Sequence, residues 1–246
     1  MEKVLVITPT TGAPELIDCI RSVSEQSYSN THHLIVTDGA KFTSRVDGCL
    51  VDGGVVGYGD KLFRCDLPFN TGGGGFYGHR IMAAFSHLVP DYEYVLFLDQ
   101  DNWYDKNHVE TLVRTIKDSN LDWAYSLRKI YNKDKNFIAE DNCESLGRWP
   151  IWFDPNGYLI DTSSYCFKTS FLQSVGHIWD HGWGADRRFY TIIKDHLKHD
   201  NYACSGEYTL NYRLGGNEGS VQEDFFIQGN KSTQSFYKGV LPWKKR

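Results

Sequence analysis

The chain has 246 residues, a formal net charge of −5, and 41% hydrophobic and 23% charged residues. That length suits one domain, or one domain with a small extension, and the acidic balance excludes a general nucleic-acid binder held by phosphate contacts. Six scattered cysteines show no CxxC and no zinc spacing, and no apolar run approaches the ~20 residues that span a bilayer. The chain runs directly into KVLVIT without a basic-then-apolar leader, so a reduced, cytoplasmic protein with no transmembrane segment is expected.

In chain order, Lys3 to Thr8 reads as a short apolar strand. PELIDCIRSVSEQ follows as a helix, with Pro14 suited to its first turn and Leu16, Ile17, Ile20 and Val23 on one face. HLIVTD, His33 to Asp38, is a second buried strand ending in an acid, and a less regular Gly-rich region runs from Gly48 to Gly59. HRIMAAFSHL predicts a helix with Ile81, Ala84, Phe85 and Leu88 on one stripe. YVLFLD is the next strand, and DKNHVETLVRTIKDS the next helix, with Asp105 as its cap and Val109, Leu112, Val113 and Ile116 facing inward.

Strand–helix alternation implies right-handed crossovers and a mostly parallel central sheet flanked by helices. Ligands in such sheets bind outside the carboxyl ends of the strands. Thr8-Pro9, Asp38 and Asp99–Asp101 all lie at such ends and are expected to share one crevice. From about residue 120 the texture changes. WAYSLRKIYN and NFIAED fit a hairpin, aromatic loops follow, then a helix ADRRFYTIIKDHL and the closing segment YACSGEYTLNYRLGGNEGSVQ. The expectation is one α/β unit over 1–246: a nucleotide-binding half, 1–104, and a smaller mixed half, 105–246, that completes the pocket.

YVLFLDQD ends in two acids one residue apart, which face the same side if the strand continues. Two such carboxylates repel unless a cation, metal or protein-borne, or water sits between them. Mg²⁺ or Mn²⁺ suits them, since these ions bind through one or two carboxylates plus substrate phosphates. An EF-hand is excluded by Trp103 and Tyr104 at the positions that require an acid or amide and a glycine. In FNTGGGGFYGHR, glycines 73, 75 and 78 match G-x-G-x-x-G, but the run does not follow the first strand as a dinucleotide fingerprint must. It offers backbone that can approach a ligand closely, then a helix start with His79 and Arg80, which suits a diphosphate.

Together, VLVITPTTGAPELIDCIRSVSEQSYSNTHHLIVTDGA, NTGGGG…HR and FLDQD resemble the family 2 glycosyltransferases with the GT-A fold. The resemblance implies that Thr8, Pro9 and Asp38 hold a nucleoside, and that Asp99 and Asp101 bind a divalent ion and the donor diphosphate and ribose. Asn70, Gly72, Gly74, Arg80 and Gln100 complete the implied donor-binding set, although the spacing to the arginine is longer than in the family. The family base is an acid at the start of a helix in the second half, and Asp186 in HGWGADRRFY occupies that place. Asp161 and Asp180 are its reserves. Where family members show Tyr-Arg-x-His, this chain has Gly215, which leaves a third metal ligand unassigned, with His177 and His181 as substitutes. Trp183, beside the proposed base, is expected to stack on an acceptor sugar, while Trp149 and Trp152 suit the core equally well.

The implied activity is metal-dependent transfer of a hexose, from a UDP-sugar, to a saccharide or other hydroxyl acceptor with inversion. The alternatives are a sugar nucleotidyltransferase, which should carry a basic Gly-rich first loop that PTTGAPE lacks, and a nucleotide-sugar-binding protein without turnover.

Overall fold

A computed structural model describes residues 1–53, 59–215 and 221–244. The first half holds β1 (Val4–Thr10), α1 (Leu16–Ser24), β2 (Thr31–Thr37), α2 (Thr43–Asp52), β3 (Leu62–Asp66), α3 (His79–Phe85), β4 (Tyr94–Phe97), β5 (Trp103–Tyr104) and α4 (His108–Ser119), of which α2, β3 and β5 are not expected from the sequence. The second half holds β6 (Trp123–Tyr131), β7 (Phe137–Glu140), β8 (Tyr165–Lys168), α5 (Thr169–Val175), α6 (Ala185–Thr191), β9 (Tyr202–Arg213) and α7 (Glu223–Phe236).

One sheet runs β3-β2-β1-β4-β8-β6-β9-β5, with β7 added to β6. It is mixed, which corrects the expectation of a mostly parallel sheet. β3, β2, β1 and β4 are mutually parallel, but β8 is antiparallel to both β4 and β6, and β5 is antiparallel to β9. β7 is antiparallel to β6 as well, for a reason of connectivity. Helical crossovers return the early strands in one direction, whereas β6 and β7 are joined by a five-residue turn that only an antiparallel pair allows.

Alternation along the buried strands sorts the core into two layers. Leu5, Ile7, Val95 and Phe97 pack with α3, α5 and α6 on one face, and Val4, Val6, Tyr94 and Leu96 with α1 and α4 on the other. Val109, Leu112, Val113 and Ile116 of α4 are buried as expected.

Local expectations fail in identifiable places. Of the stripe expected on α3, Ile81 is buried and Phe85 packs partly buried against the core, but Met82 and Ala83 are buried in place of Ala84. The helix ends at Phe85 and leaves Leu88 65% exposed. Asp105 does not cap α4; Asn107 holds that position, and the Asp105 carboxylate accepts from Lys129 Nζ at 2.5 Å and Asn211 Nδ2 at 2.9 Å. Part of the Gly-rich region is helix α2, whose one buried residue is Val46, too little for apolar periodicity to reveal. Residues 54–58 of that region lie outside the described residues. α7 buries Phe226, Gly229 and Thr233, a face of one aromatic and two small residues that carries no hydrophobic signal. The predicted helix ADRRFYTIIKDHL begins as α6 and ends in a π-helical turn, Ile192–His196.

Candidate active site

A crevice of about 610 Å³ opens at the carboxyl ends of β1, β2 and β4, a size suited to a small-molecule ligand. It gathers Pro9, Asp38, Asn70, Gly72, Asp99, Gln100 and Asp101 from the first half, and Trp183 and Asp186 from the second. β4 ends at Phe97, and the two acids lie in the turn that follows, closed by the Asn102 N–H donating to the Asp99 carbonyl at 3.1 Å. The Ser163 hydroxyl accepts from the Asp99 N–H at 3.0 Å and donates to its carboxylate at 3.3 Å.

Among the described residues, no lysine or arginine forms an ion pair with Asp99 or Asp101. Arg213, the nearest candidate, gives its Nε to the Asp101 carbonyl oxygen and its Nη2 to Asp18. Burial, and then the charges of Asp101 and Asp161, raise the Asp99 carboxyl well above its ordinary range. Burial foremost also raises Asp101, to about 6. The charge of Arg213 offsets only part of that shift at Asp101. Two desolvated carboxylates with no ion-paired lysine or arginine among the described residues fit a divalent cation that takes its remaining ligands from a substrate. Among the described residues no group of three His, Cys, Asp or Glu side chains is placed to hold a metal unaided. His177 and His181 do not line the crevice, so the third ligand stays unassigned on the protein side.

Three expected donor residues are not brought to the crevice. Thr8 shares its strand face with Val4 and Val6 and is buried on the α1 side, where its hydroxyl meets His33 Nε2 at 2.8 Å. Gly74 lies beyond the rim. Arg80 turns outward: its Nε meets Asp180 at 3.2 Å, its Nη1 donates to the Thr71 carbonyl, and the guanidinium lies 3.4 Å from the Phe76 ring centroid.

Asp38 is present but occupied. Its Oδ1 accepts from the Thr71 N–H and hydroxyl at 2.6 and 2.8 Å, and its Oδ2 from Asn70 Nδ2 and the Gly72 N–H at 2.8 and 2.9 Å. The acid at the end of β2 therefore clamps the Gly-rich loop. Gly72 is required there, because a Cβ would stand 2.1 Å from the Tyr77 carbonyl oxygen.

Asp186 sits in the first turn of α6, which Gly184 opens in the left-handed conformation (φ 79°). Its Oδ1 accepts the Arg187 N–H at 2.7 Å. Burial, followed by the charge of Asp161, raises its pKa. Both reserves are already paired: Asp161 with Arg128 at 2.6 Å, and Asp180 with Arg80. Trp183, 80% exposed, projects at the rim. Trp149 and Trp152 lie off the crevice against Trp243 and Phe225.

Sequence reasoning missed Arg128, which lines the floor of the second half. Its Nε, Nη1 and Nη2 reach Asp141, Asp161 and Glu144 at 2.8, 2.6 and 2.6 Å, all four side chains being buried. Arg187 adds a contact to Glu144 at 2.9 Å. Burial alone would raise Asp141, but Arg128 and backbone N–H donors outweigh it and hold the carboxyl below its ordinary value. The available signal was an arginine inside the apolar strand SLRKIY, followed by the acidic turn EDNCE.

The architecture is that of a GT-A-like α/β domain with an acid-lined crevice at its strand ends. The Glycosyl transferase family 2 model matches residues 5–180, more than half of the chain, and the chain belongs to that family. The match ends before Trp183 and Asp186.

Solved structures of residues 1–349 of S. aureus TarS share the fold. With UDP-GlcNAc bound, TarS aligns at 16% identity and a TM-score of 0.57, over 88% of this chain and 60% of that one. With UDP bound, it aligns at 16% identity and a TM-score of 0.55, over 95% and 64%. A longer TarS structure aligns at 13% identity and a TM-score of 0.56, over 99% of this chain and 44% of that one. The chain thus spans less than two thirds of the length of these TarS structures. Comparison with curated proteins gives no significant match. Among the described residues, no helix is long and apolar enough to cross a membrane.

Proposed function

We propose that this chain transfers a hexose from a nucleotide-sugar, a UDP-sugar foremost, to a hydroxyl acceptor with inversion. One observation carries the reading: two half-buried carboxylates, Asp99 and Asp101, with no lysine or arginine ion-paired to them among the described residues, share a crevice with a third half-buried acid, Asp186, that heads a helix of the other half. Family membership supplies the reaction class, and the nucleotides bound to the TarS structures make UDP the first to test.

In this reading Asp99 and Asp101 hold Mn²⁺ or Mg²⁺, which when bound neutralises the charge of the departing diphosphate. The first half, through Pro9, Asn70, Gly72 and the strand-end acids, holds the donor. The second half presents the acceptor against Trp183. The Asp186 carboxylate takes the acceptor hydroxyl proton, the oxygen forms its bond to the anomeric carbon from the opposite face, and the carbon–diphosphate bond breaks with its electron pair leaving on the nucleotide. The raised pKa of Asp186 brings it toward the operating pH of a general base. Arg128 holds Asp161 and Glu144 beside that base without itself meeting the reacting atoms.

Calorimetry with UDP, with and without Mn²⁺, on wild type and Asp101→Ala tests the donor side. Mn²⁺ should tighten UDP binding to wild type and do little for the variant. Equal affinity in all four titrations overturns the metal assignment. A screen of nucleotide-sugars for slow hydrolysis with Mn²⁺ present then identifies the donor.

A further inference from the structure

We propose that Tyr77 is the stacking platform for the donor nucleobase, a role that rests on the nucleotide-sugar reading above. Its backbone has φ 51°, in the left-handed region that bulky side chains rarely adopt. The neighbouring positions 72–75 and 78 are all glycine, the residue that takes such a conformation without steric cost. A tyrosine at the strained position of a glycine-rich loop points to a task for its ring.

The surroundings hold that conformation firmly. The N–H groups of Phe76 and Tyr77 both donate to the Gly72 carbonyl at 3.1 Å. Gly78 packs so closely on Pro9 that a Cβ would lie 2.7 Å from the proline Cβ. The residue is thereby fixed beside the ends of β1 and β2, and it lines the crevice with Pro9 and Asp38.

The ring itself remains available. Tyr77 is 46% exposed, and no hydrogen bond engages its hydroxyl among the described residues. Its ring contact is edge-on with His79, at 5.9 Å and 61°. His79 is braced in turn by its Nδ1 at 2.9 Å from the His181 carbonyl oxygen. Asp38 strengthens the case, since each of its carboxylate oxygens already accepts two hydrogen bonds from the loop. Recognition of a base at this end thus falls to a ring face more than to that acid. Such stacking tolerates any base, because every base has a π-face.

The test is UDP affinity by calorimetry with Mn²⁺, together with the thermal midpoint of the ligand-free protein, for wild type, Tyr77→Phe and Tyr77→Gly. The inference expects Tyr77→Gly to bind UDP about tenfold or more weakly, in the range of a lost base–aromatic stack. Tyr77→Phe should restore most of that affinity, and the ligand-free midpoint of Tyr77→Gly should be unchanged or raised, because the strained conformation is relieved. Wild-type affinity in Tyr77→Gly overturns the proposal. So does a Tyr77→Phe variant as weak as Tyr77→Gly, or a fall in affinity accompanied by a fall in midpoint, which would make the ring a structural prop. If wild type binds neither UDP, ADP nor GDP, the nucleotide-sugar reading itself fails and Tyr77 falls with it, an outcome distinct from the other three.

Discussion

The Thr10 hydroxyl donates to Oε1 of Gln100 at 2.6 Å. The same oxygen accepts the N–H groups of Thr11 and Ala13 at 3.1 and 3.3 Å. The residue between Asp99 and Asp101 thus ties the loop between β1 and α1 to the end of β4, and its amide oxygen is taken up by that loop. Removing it leaves two backbone donors and a hydroxyl short of a partner.

Gln100→Ala should accordingly cost about 1–3 kcal/mol of stability in urea unfolding. UDP affinity should weaken several-fold because the loop that carries Thr11, directly after the strand end with Pro9, is no longer fixed. Unchanged stability would show that water replaces the amide oxygen at no cost.

Arg128→Met should be much more damaging. It leaves Asp141, Glu144 and Asp161 buried, with Arg187 as the one remaining cation in contact with that group among the described residues. Breaking a buried pair by removing one partner costs about 3–5 kcal/mol. Urea unfolding measures the loss, and adding Asp141→Asn to Arg128→Met should recover part of it, because one unpaired charge is then gone. A double variant less stable than the single one would refute the electrostatic account.

Asp186→Asn should lower turnover at least ~100-fold, in the range of a lost acid–base group, while UDP affinity is retained. In wild type the acid limb of the rate profile should lie above the ordinary carboxylate range, as the raised pKa of Asp186 requires. Steady-state assays across pH check both. Retention of most activity in Asp186→Asn would transfer the base to Asp161 or Asp180, each of which would first have to leave its arginine.

Asp101 predicts a pH dependence of stability. Its pKa of about 6 in the folded chain exceeds the ordinary value of 3.8, so the native state binds this proton more tightly than the unfolded state. The contribution is fully present below about pH 4 and is lost as pH rises through about 6. His33 and His108 act in the opposite sense: burial lowers both to about 3 from 6.5, so their contribution is present above 6.5 and lost as pH falls toward 3. The difference between Asp101→Asn and wild type, measured by urea unfolding in EDTA, isolates the aspartate. The variant should be more stable by about 1–2 kcal/mol at pH 7.5, allowing for its partial exposure, and equal to wild type near pH 4. Excess Mn²⁺ with UDP should narrow or reverse the gap at pH 7.5.

Much of the frame was legible without coordinates. The apolar runs ending in Thr8-Pro9, Asp38 and Asp99 announce parallel strands whose ends converge, and α4 shows its buried face in the spacing of Val109, Leu112, Val113 and Ile116. Asp186 is singled out by the resemblance of HGWGADRRFY to the family's helix start, and the structure places it in the first turn of α6. These are local properties, because period, end signal and residue type are all written within a dozen positions.

What tertiary structure alone decided is which polar atoms are already engaged. Asp38 is consumed by residues 70–72, Arg80 by Asp180, and Gln100 by Thr10 to Ala13, whereas Asp99 and Asp101 have no lysine or arginine paired with them among the described residues. Arg128 meets Asp161 from 33 positions away. A side chain's chemistry is set by its residue type, but its availability depends on partners that the folded chain brings from elsewhere, and no local pattern encodes them.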